Sequence, residues 1–171
     1  MAIYSTLTKK DLVKIADEFG LGDLTAWSGV RNGSVNTHYL LETKRGRYIV
    51  KLDEVKSEIE VKQEIELLLH LKKQGFPCLQ IIKSANGRFC LDHQGKCLTL
   101  SRYLEGTEIP VERMTSAQLE NVGHTLANLH LMSRSYKKGI DNRFSFNRIL
   151  SIYKEVRRQL PSHLKKIGRA H

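Results

Sequence analysis

The chain has 171 residues and a mass of 19.6 kDa, room for one full domain or one domain plus part of a second. Its 40% hydrophobic and 27% charged residues exclude a disordered chain, and no apolar run approaches the ~20 residues that span a bilayer. Cys78, Cys90 and Cys97 are odd in number and lack C-x-x-C spacing, which excludes a disulfide scaffold and an ordinary zinc site. With no apolar signal core in Met1–Lys10, the expectation is a soluble cytoplasmic chain. The formal charge of +10 is uneven: eleven Lys and Arg against two acids lie between Ser133 and His171. Two readings account for that tail, a basic stripe for phosphates and an exposed helix face that meets acidic residues elsewhere.

In chain order, Thr8 and Asp11 have capping-box spacing, and Leu12, Ile15, Ala16 and Phe19 recur at helical spacing up to a stop at Gly20. Strands are predicted over Leu24–Val30, Thr37–Thr43 and Tyr48–Leu52, with Arg31–Asn36 as a hairpin tip and Lys44-Arg45-Gly46 as a tight turn. Val61, Ile65, Leu68 and Leu69 stripe a long helix over Ser57–Gln74, ended by Gly75 and Pro77. Three short strand signals follow, Gln80–Lys83, Arg88–Leu91 and Lys96–Tyr103. Asn86-Gly87 is a strong hairpin turn between the first two, and His93-Gln94-Gly95 a looser one. Two helices close the pattern. Leu119, Val122, Leu126 and Leu129 stripe one behind a Thr115 cap, and Phe146, Ile149, Leu150, Tyr153, Val156 and Leu160 stripe the other up to Pro161. The order predicts an α+β chain, with a boundary near Leu104-Glu105-Gly106.

Chemistry-bearing residues fall in the sheet region. Gly33, Ser34 and Asn36 at a hairpin tip can bring backbone N–H groups to phosphate oxygens, although Asn-Gly is also a common hairpin turn. Lys51 lies inside a strand between Val50 and Leu52; it either lines a cleft, where it can meet nucleotide phosphates, or faces solvent. Glu64, thirteen residues later on the long helix, can hold that ammonium, with Glu58, Glu60 and Glu66 as competing candidates on a wet face.

Collinear segments carry a resemblance over about the first 135 residues. They are Met1-Ala2-Ile3-Tyr4, Leu21-Gly22-Asp23-Leu24, Gly29 to Tyr39, Arg47 to Leu52, Leu67 to Leu71, Gly75 to Cys78, Tyr103 to Gly106 and Gly123 to His130. With these the chain resembles homoserine kinases of the aminoglycoside-phosphotransferase-like group. The resemblance implies a protein-kinase-like N-terminal lobe, an antiparallel sheet plus one long helix, over residues 1–103 including the hinge. A partial helical C-terminal lobe over 104–171 would follow. It implies ATP as phosphoryl donor and L-homoserine as acceptor, a step toward threonine. Gly33 to Asn36 would be the loop over the phosphates, Lys51 and Glu64 the lysine–glutamate pair, and Ser101, Arg102 and Tyr103 the hinge beside adenine.

The family's His-x-Asp catalytic loop, its downstream Asn and its magnesium-binding Asp have no match here. After Met132 the acids are Asp141 and Glu155, and the chain ends at His171, about where that loop is expected. The expectation is therefore an N-terminal portion with no catalytic residue and no Mg2+ ligands, inactive alone, whose last two helices expose apolar surface open to self-association. A non-catalytic nucleotide- or partner-binding module is the alternative. A basic nucleic-acid binder is weaker, because the last helix needs most of the tail's aromatic residues, among Tyr136, Phe144, Phe146 and Tyr153, for its own core.

Overall fold

The computed structural model describes residues 5–30, 35–139, 142 and 144–161. The chain parts into two units between Lys138 and Gly139. The first holds α1 (Lys9–Glu18), β1 (Leu24–Gly29), β2 (Thr37–Thr43), β3 (Gly46–Leu52), α2 (Glu58–Lys73), β4 (Cys90–His93), β5 (Lys96–Arg102) and α3 (Ser116–Ser133). Its five strands form one antiparallel sheet in the order β1-β2-β3-β5-β4. The second unit holds α4 (Phe146–Gln159), with Ser145 capping its start and Leu160 its end. The α+β expectation holds.

Local chemistry sets the helix ends. Thr8, Ser57 and Thr115 each close a full capping box, with Asp11, Glu60 and Gln118 reaching back to the cap backbone. The short Asp11 side chain completes its box, accepting from the Thr8 N–H at 2.8 Å. Gly20 and Gly75 stop α1 and α2 at φ +62° and +83°, and the next amides, Leu21 and Phe76, bond back to Ala16 and Leu71.

Alternation along the central strands separates two layers. Tyr48, Val50 and Leu52 of β3, with Leu98 and Leu100 of β5 and Leu41 of β2, face Leu12, Ile15, Ala16 and Phe19 of α1 and form the main core. The intervening residues face α2, where Val61 and Ile65 meet Cys90 and Cys97 in a smaller cluster. The far end of α3 is tied to α2: His70 Nε2 lies 2.9 Å from Ser135 Oγ, and Lys138 donates to Glu66 at 2.8 Å.

Two expectations need correction. Gln80–Lys83 forms no ladder with the segment after the Asn86-Gly87 turn; it lies along β5, where Ile82 N–H donates to Leu100 O and Arg102 N–H to Gln80 O. The reason is β4's shortness: it pairs only with Lys96–Thr99, and the remainder of that β5 edge takes up the earlier segment. The turn itself forms, with Gly87 N–H bonded to Ser84 O. Gln94-Gly95, read as a loose turn, is a two-residue hairpin loop with both residues at positive φ (55° and 79°) between the paired His93 and Lys96. That tight turn sets Cys90 and Cys97 on one face with Cα atoms 5.8 Å apart, joined as a disulfide, a pairing that the odd cysteine count did not anticipate.

Both α3 and α4 expose apolar side chains, including Leu119, Val122 and Leu126 on α3 and Phe146, Ile149 and Val156 on α4. Leu100, 0% exposed, and Leu126, 51% exposed, are therefore expected to respond differently to truncation. Leu100→Ala should cost about 2–5 kcal/mol in urea unfolding, and Leu126→Ala under about 1 kcal/mol. Equal losses would contradict this layering.

Candidate functional site

The sheet face turned away from α1 carries a cleft of about 300 Å³, bounded by β3, β5 and α2. Ile49, Val61, Ile65, Leu68 and Leu79 give it an apolar wall, while Lys51, Glu64, His38 and Thr99 supply polar groups. This is the usual make-up of a small-molecule site, mostly apolar with a few convergent polar side chains. The period of two in β3 puts Lys51 here: Val50 and Leu52 go to the α1 core, so the ammonium goes to the α2 side.

Four charges meet at one end. Lys51 Nζ lies 3.3 Å from Glu64 Oε2 and 3.1 Å from Asp53 Oδ2, and Lys56 Nζ lies 2.8 Å from the same Glu64 oxygen. Burial opposes the charged form of Glu64, but the Lys56 hydrogen bond and the charges of Lys51 and Lys56 outweigh it and hold its carboxyl below the ordinary value. His38, directly across from Lys51 in the ladder, is pushed down by burial and then by the Lys51 charge, both of which favour the neutral ring. Among Glu58, Glu60, Glu64 and Glu66, Glu64 is the one that meets Lys51: Glu58 pairs with Lys62, Glu60 caps the helix and Glu66 binds Lys138.

Gly33 and Ser34 lie outside the described residues. Asn36 does not point its side chain into the cleft but accepts from Glu54 N–H at 3.3 Å. Glu54 is the centre of its own network: its carboxylate, 7% exposed, accepts from Ser5, Thr37 and Lys96 and so fastens the base of the β1–β2 connection. Ser101 and Tyr103 line the cleft at the end of β5. The Arg102 and Tyr103 amides there donate to Gln80 O and Arg47 O, and the Arg47 guanidinium stacks 4.5 Å from the Tyr103 ring centre. Asp53, Lys56 and His38 escaped the sequence reading. Asp53 and His38 had a usable signal, because residue 53 shares a strand face with Lys51 and His38 pairs with it once the Lys44–Gly46 turn sets the hairpin register.

No group of three His, Cys, Asp or Glu among the described residues could hold a metal ion, and the carboxylates of this cluster are taken by lysines. The residues present do not fit a magnesium site.

Residues 26–166 match the phosphotransferase enzyme family. The chain belongs to that family. Similar curated proteins include homoserine kinases of Methylobacillus flagellatus, 29% identical over 144 residues, and of Rhodopseudomonas palustris, 31% identical over 137 residues. These alignments cover 83% and 80% of this chain but 44% and 41% of the relatives, so the chain spans less than half of their length. Among solved structures, an aminoglycoside phosphotransferase from Alicyclobacillus acidocaldarius superposes with a TM-score of 0.65 at 15% identity, over 92% of this chain and 44% of the other. A spectinomycin phosphotransferase solved with ADP and spectinomycin gives 0.61 at 12% identity, over 91% and 46%. The fold is the protein-kinase-like fold, as the resemblance implied.

Burial alone would raise the Glu54 carboxyl; the Lys96, Thr37 and Ser5 hydrogen bonds overcome it and bring it down to about 2. A depressed folded value means that this stabilisation is complete above the unfolded value of 4.5 and is lost as pH falls toward about 2. Glu54→Gln should therefore cost about 1–3 kcal/mol at neutral pH. Urea midpoints of the two proteins should converge as pH falls through that window, and a constant gap down to about pH 3 would refute the assignment.

Proposed function

We propose that the cleft binds ATP and that these residues are the nucleotide-binding N-terminal portion of a homoserine kinase-like phosphotransferase. The reaction of the whole protein would carry the γ-phosphoryl group of ATP to the side-chain hydroxyl of L-homoserine, a step toward threonine. The observation that carries the reading is a strand ammonium in contact with a helix carboxylate, Lys51 to Glu64 at 3.3 Å, at the polar end of an apolar cleft in a chain of this family. The apolar wall suits a planar base, and Lys51 suits a phosphate.

On this reading Gly33, Ser34 and Asn36 belong to the phosphate loop, with Asn36 acting through its hold on the Glu54 backbone. Ser101 and Tyr103 border the base. Since the Arg102 and Tyr103 amides are already bonded, recognition of the base at these two residues draws on carbonyl oxygens and on the Tyr103 ring. Residues 1–103 act as the nucleotide lobe and residues 104–171 begin the helical lobe. The aspartate that orients the hydroxyl and the magnesium ligands belong to the greater part of the relatives' length that this chain does not span. This chain alone is then a binder without turnover.

A partner-binding module is the second reading, supported by the half-exposed Leu119, Val122 and Leu126. It predicts concentration-dependent sedimentation whether or not nucleotide is present.

The test combines an ATP titration with an assay for phosphoryl transfer to L-homoserine in the presence of Mg2+. The expected result is weak ATP binding and no phosphohomoserine. Absence of binding would overturn the nucleotide cleft; steady transfer would overturn the assignment of the catalytic groups to the part of the relatives not spanned here.

A further inference from the structure

The Lys51 ammonium touches two carboxylates of different character. Asp53 Oδ2 is 3.1 Å away on a side chain that is 0% exposed, and Glu64 Oε2 is 3.3 Å away on a side chain that is 39% exposed. Asp53 sits two residues beyond Lys51 on the same strand face, and its own N–H is fixed to Cys97 O at 2.9 Å, so its carboxylate stands on the sheet itself. Asp53 makes no side-chain hydrogen bond among the described residues; its Oδ2 meets the Lys51 ammonium as an ion pair, whereas the hydrogen bond that Lys51 donates goes to Glu64 Oε2. Lys51 is thus the countercharge in contact with a fully buried anion, a position from which a cation is costly to withdraw.

Glu64 is in the opposite situation. Lys56 already meets it at 2.8 Å, closer than Lys51, so its charge is balanced whether or not Lys51 stays. Its partial exposure lets water screen what remains. The two contacts are therefore unequal. Without Glu64, Lys51 still has a buried partner on its own strand. Without Asp53, Lys51 must share one half-exposed carboxylate with a nearer lysine.

Resting on the reading of Lys51 as the phosphate-binding cation, we propose that Asp53 is the principal positioning residue for Lys51. Glu64 is held chiefly by Lys56. Asp53 fixes where the ammonium stands before nucleotide arrives, so that a phosphate meets a preplaced charge rather than a mobile one. It does not itself touch the nucleotide, and both carboxylates remain in place when a phosphate takes its share of the Lys51 donors.

The experiment measures the dissociation constant of a non-hydrolysable ATP analogue for the whole chain and for Lys51→Met, Asp53→Asn, Glu64→Gln and the double variants, each checked by circular dichroism. Lys51→Met should weaken binding about tenfold, and Asp53→Asn should come within about threefold of that loss, while Glu64→Gln should weaken binding about threefold or less. Asp53→Asn should have no further effect once Lys51 is methionine; a merely structural role for Asp53 would weaken both backgrounds alike and would overturn the proposal. A loss with Glu64→Gln as large as with Lys51→Met, beside an unaffected Asp53→Asn, would also overturn it. Should Asp53→Asn fail to fold, Lys51→Met made on Glu64→Gln decides: persistence of the tenfold loss supports Asp53, and its disappearance makes Glu64 the holder. No loss with Lys51→Met alone would instead defeat the phosphate reading of Lys51 on which the proposal stands.

Discussion

The architecture turns on the two-residue period of β3 and β5. Each strand is buried on both faces, and each face has a different solvent substitute: α1 on one side, α2 and the cleft on the other. Val50 and Leu100 can lie in a dry core only if Lys51, Thr99 and Ser101 lie on the other side. A one-residue slip would drive the ammonium into the α1 layer, among the apolar side chains of the main core. Hydrophobic burial and the position of the charge therefore specify the same register, which is why the site needs no separate device to aim its lysine.

Much of this was legible in the residues. Thr8 with Asp11 and Thr115 with Gln118 mark helix starts by local chemistry alone, and both caps form as read; Ser57 with Glu60 makes a third that the sequence reading did not name. The distance from Lys51 to Glu64 was also legible, because a strand, a short connection and one amphipathic helix leave few ways to return. What escaped depends on nonlocal competition. Gln80–Lys83 has strand composition, yet its partner is decided by how short β4 is, and no property of residues 80–83 contains that. Cys90 and Cys97 meet because Gln94 accepts a positive φ that its side chain does not advertise.

Among candidate site residues the pattern is similar. Ser101 and Tyr103, the positions the resemblance implied for the hinge, border the cleft, whereas the Asn36 side chain accepts from the Glu54 amide. Nothing in the segment around Asp53 marks it as buried, because its burial depends on the β5 pairing that lies more than forty residues downstream. Charged residues at the end of a central strand thus merit reading together with the strand that will cover them.

That separation has a temporal side. β1, β2 and β3 form a meander of neighbouring segments, but the strand that pairs with β3 on its other edge begins only at Lys96. Closing so long an interval costs chain entropy that local hairpins do not face. As the polypeptide leaves the ribosome, the three-stranded ribbon and its lysine precede the strand that will sheathe them. Asp53 is enclosed only where β5 lies beside β3, so the buried half of the charge cluster depends on the longest-range strand pairing in the sheet, while the Lys51–Glu64–Lys56 half is built from residues that all precede β5.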